Sequence, residues 1–172
     1  PARFQLVAAM NPCPCGHLGD PGASCRCTPD RIAAYRGRIS GPLLDRIDLH
    51  VEVPRVSPVQ IARDAVAENS AAVAARVATA RDRQVERQGY ANAWLDGPSV
   101  AKSVRADAAA LALLGNAMQR LALSARAYHR VLRIARTIAD LAAGETVAAQ
   151  HVAEAVTLRQ LDRRLAGAPI SA

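Results

Sequence analysis

Aromatic side chains are scarce in this chain: Phe4, Trp94 and three tyrosines make up 3% of 172 residues, although 51% of the sequence is hydrophobic. Its core must therefore be built from Ala, Leu, Val and Ile. That composition suits packed helices better than a β-sandwich, because Ala is the strongest helix former and strands favour aromatic and β-branched residues. Lysine is nearly missing too. Of 22 basic residues only Lys102 is a lysine, so the net charge of +7 is carried by arginine. A pI near 10.0 fits a nucleic acid or nucleotide partner, and equally a solvated Arg-rich surface. No apolar run approaches the roughly 18 residues of a membrane span, and no signal-peptide pattern is present. The expectation is a cytoplasmic protein with no membrane partner, whose four cysteines are reduced thiols or metal ligands rather than disulfides.

Initiator Met is absent as well, and the chain enters the apolar run Phe4–Met10 almost at once, so it reads as a piece of something longer. That run, closed by Asn11-Pro12, fits a buried strand of a parallel sheet whose partners would lie upstream. Asn11 to Pro29 is rich in Pro, Gly, Cys and Asp and reads as a loop. Asp30 can cap a short helix through Tyr35, and Ser40-Gly-Pro starts a helical turn. Asp48 to Val53 alternates and ends at Pro54, the pattern of a half-buried strand. Beyond Pro58 only helices are predicted: one from about Pro58, a long one through Gln88 ending at Gly89 with Val66, Val73, Val77 and Ala80 on one face, and a turn-rich link from Tyr90 to Pro98. Three more follow near 107–122, 125–142 and 147–164, with Asp107, Ser124 and Thr146 as N-caps and Gly144 closing the middle one. The fold class is mostly α with a small α/β part.

The cysteines form two C-x-C pairs, Cys13/Cys15 and Cys25/Cys27, nine residues apart. Two close pairs joined by a short loop can place four thiolates around one tetrahedral Zn²⁺, which would order a loop this rich in Pro and Gly. His17 can replace one thiolate. The usual knuckle is C-x-x-C, and free or oxidisable thiols are the alternative. In Ser40-Gly-Pro-Leu-Leu-Asp-Arg-Ile-Asp-Leu49, Arg46 sits between Asp45 and Asp48. It can form a local ion pair worth at most about 1 kcal/mol. It can equally project from the helical turn as an arginine finger toward a γ-phosphate in a neighbouring subunit.

Taken together, Asn11-Pro-Cys-Pro-Cys-Gly16, Cys25-Arg-Cys27, Tyr35, Ser40-Gly-Pro-Leu-Leu-Asp-Arg-Ile-Asp48 and Leu123-Ser-Ala-Arg-Ala-Tyr-His-Arg-Val-Leu-Arg-Ile-Ala-Arg-Thr-Ile-Ala-Asp-Leu141 resemble the magnesium-chelatase-like AAA+ ATPases of the ComM (YifB) type, in their portion C-terminal to the Walker B strand. The resemblance implies residues 1–55 as the C-terminal end of an AAA+ core with a four-Cys insert, 56–98 as linking helices and 99–172 as a helical lid. It implies Asn11 as sensor 1, which helps place the attacking water, Arg46 as the finger acting in trans, and Arg126 as sensor 2, the lid arginine that touches nucleotide. Arg126 also breaks a local rule, since a cation in the first turn after Ser124 opposes the helix dipole. Arg130 and Arg133 continue its stripe as surface or interface charges.

The departures are as informative. A Walker A loop needs G-x-x-x-x-G-K-[ST], and the single Lys102 has Ala101 and Asp96 where the two glycines belong. No hydrophobic run ends in Asp-Glu to hold Mg²⁺. The expectation is thus a C-terminal part of an ATPase that, intact, binds ATP and Mg²⁺, forms a homo-oligomeric ring, a hexamer, and acts on DNA as a helicase or branch-migration motor in natural transformation. Two rivals remain: a zinc-stabilised, non-enzymatic DNA-binding module, and a metal-chelatase motor subunit that remodels a partner protein.

Overall fold

The computed structural model describes residues 4–20, 22–56 and 68–159. Among them are seven α-helices: α1 (Pro29–Arg36), α2 (Gly41–Arg46), α3 (Ser70–Gln88), α4 (Gly97–Val104), α5 (Ala108–Arg120), α6 (Ala125–Leu141) and α7 (Ala149–Thr157). A single 3₁₀ turn spans Asn92–Trp94. The chain divides between Leu44 and Asp45 into two compact units.

In the first unit, α1 is capped two residues earlier than Asp30 suggests: Thr28 is the N-cap, its hydroxyl accepting from Arg31 N at 3.4 Å, with Pro29 opening the helix. Asp30 instead places its charge in the first turn, where it complements the dipole. Arg36 Nε donates to Pro12 O at 3.1 Å and so ties α1 to the Cys loop. Cys13 is the one buried residue among those described here. Apolar burial alone does not hold so small a unit together.

Neither expected strand forms among the described residues. Phe4, Leu6 and Val7 are 77%, 63% and 85% exposed, and Leu49, Val51 and Val53 are exposed likewise. A strand exists only through the ladder it shares with a partner, and none of the described residues supplies one. The helix expected from Pro58, and Val66, lie outside the described residues.

The second unit is built around α6. Its inward stripe of Ala127, Val131, Leu132, Ala135 and Ala139 packs with α3, α4 and α7, while α5 packs against α7. Leu95, Val100, Val104, Ala110, Leu114 and Val152 complete a core without a fully buried aromatic, as the composition demands. Asp107 and Ser124 cap α5 and α6 as expected, accepting from Ala110 N at 2.7 Å and Ala127 N at 3.1 Å. Gly89 closes α3 at φ 84°, a left-handed position suited to glycine. At the end of α6 that conformation is taken by Ala143 (φ 58°), and Gly144 N then reaches back to Ala139 O at 2.8 Å.

Three expectations need correction. The link expected from Tyr90 to Pro98 ends at Asp96, and Gly97–Val104 form a helix that was not expected: Asp96 accepts from Ser99 N at 2.9 Å, and Val100 and Val104, one turn apart, are buried. Helix α7 starts after Ala148, not Thr146, with His151 Nδ1 accepting from Ala148 N at 3.0 Å. On α3, Val77 is 52% exposed, and the packed face is Ala80 and Gln84, with Arg83 and Arg87 beside them. Ala80 of the expected face therefore docks, but the packed stripe continues through Gln84 rather than through Val77.

Candidate functional site

The loop Asn11–Thr28 gathers all four cysteines. Gly16 at φ 81° lets the chain turn back so that its N–H reaches Cys13 O at 3.0 Å. Cys13 Sγ then lies 3.3 Å from Cys15 Sγ and 3.7 Å from Cys25 Sγ, Cys15 and Cys25 are 3.6 Å apart, and all four sulfurs fall within 4.8 Å of one another. Tetrahedral Zn²⁺ at about 2.3 Å from each sulfur requires sulfurs about 3.8 Å apart, so the cluster fits such an ion. All four are free thiols. His17 faces Asp20, with Nδ1 3.8 Å from Oδ2, and stands outside the four-sulfur group.

Electrostatics within the cluster are divided. The backbone N–H of His17, followed by the Cys13 thiol, lowers the Cys15 pKa to about 6. Cys13 is also lowered: burial opposes ionisation, as does Cys15, but hydrogen bonds from the Leu18 and Cys15 backbone and from Cys25 outweigh them. At Cys25 the Cys27 backbone favours the thiolate, yet burial and the neighbouring Cys15 and Cys13 push the pKa up to about 11. Burial, then Cys15, likewise raises Cys27. Cys15 and Cys13 are shifted toward the thiolate and Cys25 and Cys27 away from it, an opposition that a central dication would relieve.

Asn11, the expected sensor 1, belongs to the first unit and is exposed. Arg46 and Arg126 belong to the second. Arg46 ends α2 and is exposed. The acidic residues flanking it serve cations far along the chain: Asp45 lies 3.9 Å from Arg126 Nη1 and 3.6 Å from Arg159 Nη2, and Asp48 lies 3.2 Å from Arg130 Nη1. Arg126 stands in the first turn of α6 with its side chain 60% exposed. It borders an open cleft of about 270 Å³ between α6 and the start of α4, lined also by His129, Arg130, Arg133 and Asp96. Arg133 is partly spent on structure, donating to Leu95 O at 3.1 Å. Burial depresses the pKa of Arg130 against the opposing pull of Asp48.

Sequence reasoning missed a second set of charges. Asp140, 1% exposed, accepts from Arg87, Asn92 and Arg136, and Arg136, also 1% exposed, donates to Val104 O at 3.3 Å and Glu145 O at 2.8 Å. The only signal was the i,i+4 spacing of Arg136 and Asp140. Arg159, which reaches Asp45, Ile47 and Asp48, carried no local signal.

Comparison with known proteins places these features in context. A family model described as magnesium chelatase, subunit ChlI C-terminal, matches residues 67–159, and another, magnesium chelatase, subunit ChlI, matches residues 1–61. The uncharacterized protein YifB of Escherichia coli is 45% identical over 166 residues, and that of Salmonella typhimurium 43% over 166 residues. The competence protein ComM of Haemophilus influenzae is 42% identical over 167 residues. Each alignment covers 96% of this chain but 32% of the relative, so the chain spans about a third of their length. No helix among the described residues is long and apolar enough to cross a membrane.

Proposed function

This chain belongs to the magnesium-chelatase-like AAA+ ATPases, the family of YifB and ComM, and on that footing we propose that it supplies three side chains to ATP hydrolysis in the intact protein. Residues 1–55 would close the ATPase core, 56–98 link it onward, and 99–172 form the lid. Arg126 carries the reading. It is a mostly exposed cation in the first turn of α6, where its charge opposes the dipole, on the rim of a basic cleft. Asp45 stands 3.9 Å from it, and a bound nucleotide phosphate would supply further compensating charge. Asn11 would orient the attacking water by hydrogen bonding, and Arg46 would neutralise charge developing on the γ-phosphate of a neighbouring subunit's site. Mg²⁺, when bound with ATP, would neutralise phosphate charge; among the described residues the chain's acidic side chains form no cluster that could hold it. The four cysteines would hold a structural Zn²⁺ that shapes the loop after Asn11, without taking part in chemistry.

The intact protein would then be a homo-oligomeric ring, a hexamer, in which Arg46 of one subunit meets the ATP site of the next. DNA is the client favoured by the arginine-borne charge of +7 and by likeness to a competence protein, and helicase or branch-migration activity follows as the use of the motor. In the full-length protein, Arg46→Ala should lower kcat for ATP by about 10³-fold or more while nucleotide binding persists; turnover at the wild-type level refutes the finger. Both family descriptions name magnesium chelatase, so the rival client is a chelatase partner. ATPase stimulation by DNA, weakening with salt, decides for DNA, and stimulation by a chelatase subunit alone decides against it.

A further inference from the structure

We infer that Arg159 is the positioning residue for Arg46. Its side chain is 1% exposed, just beyond the end of α7. One guanidinium nitrogen, Nη1, donates to Ile47 O at 3.1 Å and Asp48 O at 3.3 Å; the other, Nη2, reaches Asp45 O at 3.5 Å and the Asp45 carboxylate at 3.6 Å. The preceding residue adds a backbone link, Leu158 O accepting from His50 N at 2.7 Å. These carbonyls lie in and just after the last turn of α2, where helical hydrogen bonding has run out and acceptors need donors from elsewhere. A guanidinium suits the task, because its rigid fork of five donors can span several carbonyls while its charge complements the helix C-terminus. An ammonium can neither span them nor hold their spacing.

The turn from Asp45 to His50 is therefore fastened to α7, with Arg46 projecting from it. Its acidic members fasten it also to α6, through Asp45 with Arg126 and Asp48 with Arg130. Arg46 rides on a mount made of two helices of its own unit, so the reach and aim of this residue depend on Arg159. Arg159 touches no substrate in this role and acts through the Asp45–His50 turn that carries Arg46. The inference rests on the reading of Arg46 as a finger that serves a neighbouring subunit.

The test uses the full-length protein and compares Arg159→Met with Arg46→Ala. A displacement of about 1 Å at a reacting group costs about a hundredfold in rate, so Arg159→Met should lower kcat about a hundredfold, with the ATP dissociation constant unchanged. Each variant is then mixed with subunits disabled in their own phosphate-binding loop. In mixed rings the disabled subunits offer a properly mounted Arg46 to the variant's intact ATP sites, and hydrolysis should recover for both variants. Recovery for Arg46→Ala but not for Arg159→Met overturns the positioning role, because the lesion then sits in its own subunit. Failure of both overturns the trans finger itself. Where Arg159→Met does not fold, Arg159→Lys, which keeps the charge and much of the stem, takes its place; it should also lose turnover and recover on mixing, and wild-type turnover overturns the proposal.

Discussion

Arg87 grips Asp140 with both terminal nitrogens, Nη1 to Oδ1 at 2.6 Å and Nη2 to Oδ2 at 2.9 Å, joining α3 to α6 through a buried charge rather than an apolar seam. Asn92 and Arg136 complete the shell around the same carboxylate. Removing that carboxylate strands Arg136, which is 1% exposed, without its counter-charge. Asp140→Ala should cost about 3–5 kcal/mol, the usual penalty for breaking a buried pair. Chemical denaturation with a helix-sensitive probe checks this, and a loss under about 1 kcal/mol would mean that water replaces the pair.

The same carboxylate sets a pH response. Burial alone would raise the Asp140 pKa, but hydrogen bonds from Arg87 and Asn92 and the charge of Arg136 hold it below its ordinary 3.8. Since the folded-state pKa is depressed, its stabilising contribution is complete above the unfolded value of about 3.9 and is lost as pH falls toward and through the folded pKa. Denaturation midpoints of the wild type should therefore fall below about pH 4 more steeply than those of Asp140→Asn. Parallel declines would assign the acid response to other groups.

Metal content gives an independent check on the first unit. Purified protein should carry about one zinc per chain, and replacing Cys13 and Cys25 by Ser should remove it. Chelation should speed amide exchange between Asn11 and Thr28 while leaving α6 protected, because α6 is held by its own core. A metal-free sample with slow exchange in that loop would sink the zinc site.

Arg126→Ala should weaken ATP binding to the full-length protein by roughly ten- to a hundredfold, the worth of a charge-assisted hydrogen bond of about 1.5–3 kcal/mol. Titration with a fluorescent nucleotide measures it. An unchanged dissociation constant would leave Arg126 as a partner of Asp45 only.

Much of this arrangement is written locally. Asp107 and Ser124 cap helices by bonding N–H groups three residues away, Gly89 ends α3 by its own backbone freedom, and the C-x-C spacing brings Cys13 and Cys15 together within a single turn. Such interactions span a few residues, so the sequence is their full description. Helix α4 is legible by the same standard, through the Asp96 cap and the Val100/Val104 pair. By itself, then, the sequence carried the family, the helical class and the pairing of the cysteines, and it singled out Asn11, Arg46 and Arg126 for the roles proposed above. Only the tertiary structure decided what holds them: Asp45 meets the Arg159 guanidinium across 114 residues, and Arg87 meets Asp140 across 53. At such separations no periodicity or cap can choose one arginine among 21. Packing of α3, α6 and α7 makes that choice, by removing water from the one geometry in which each buried charge finds its partner.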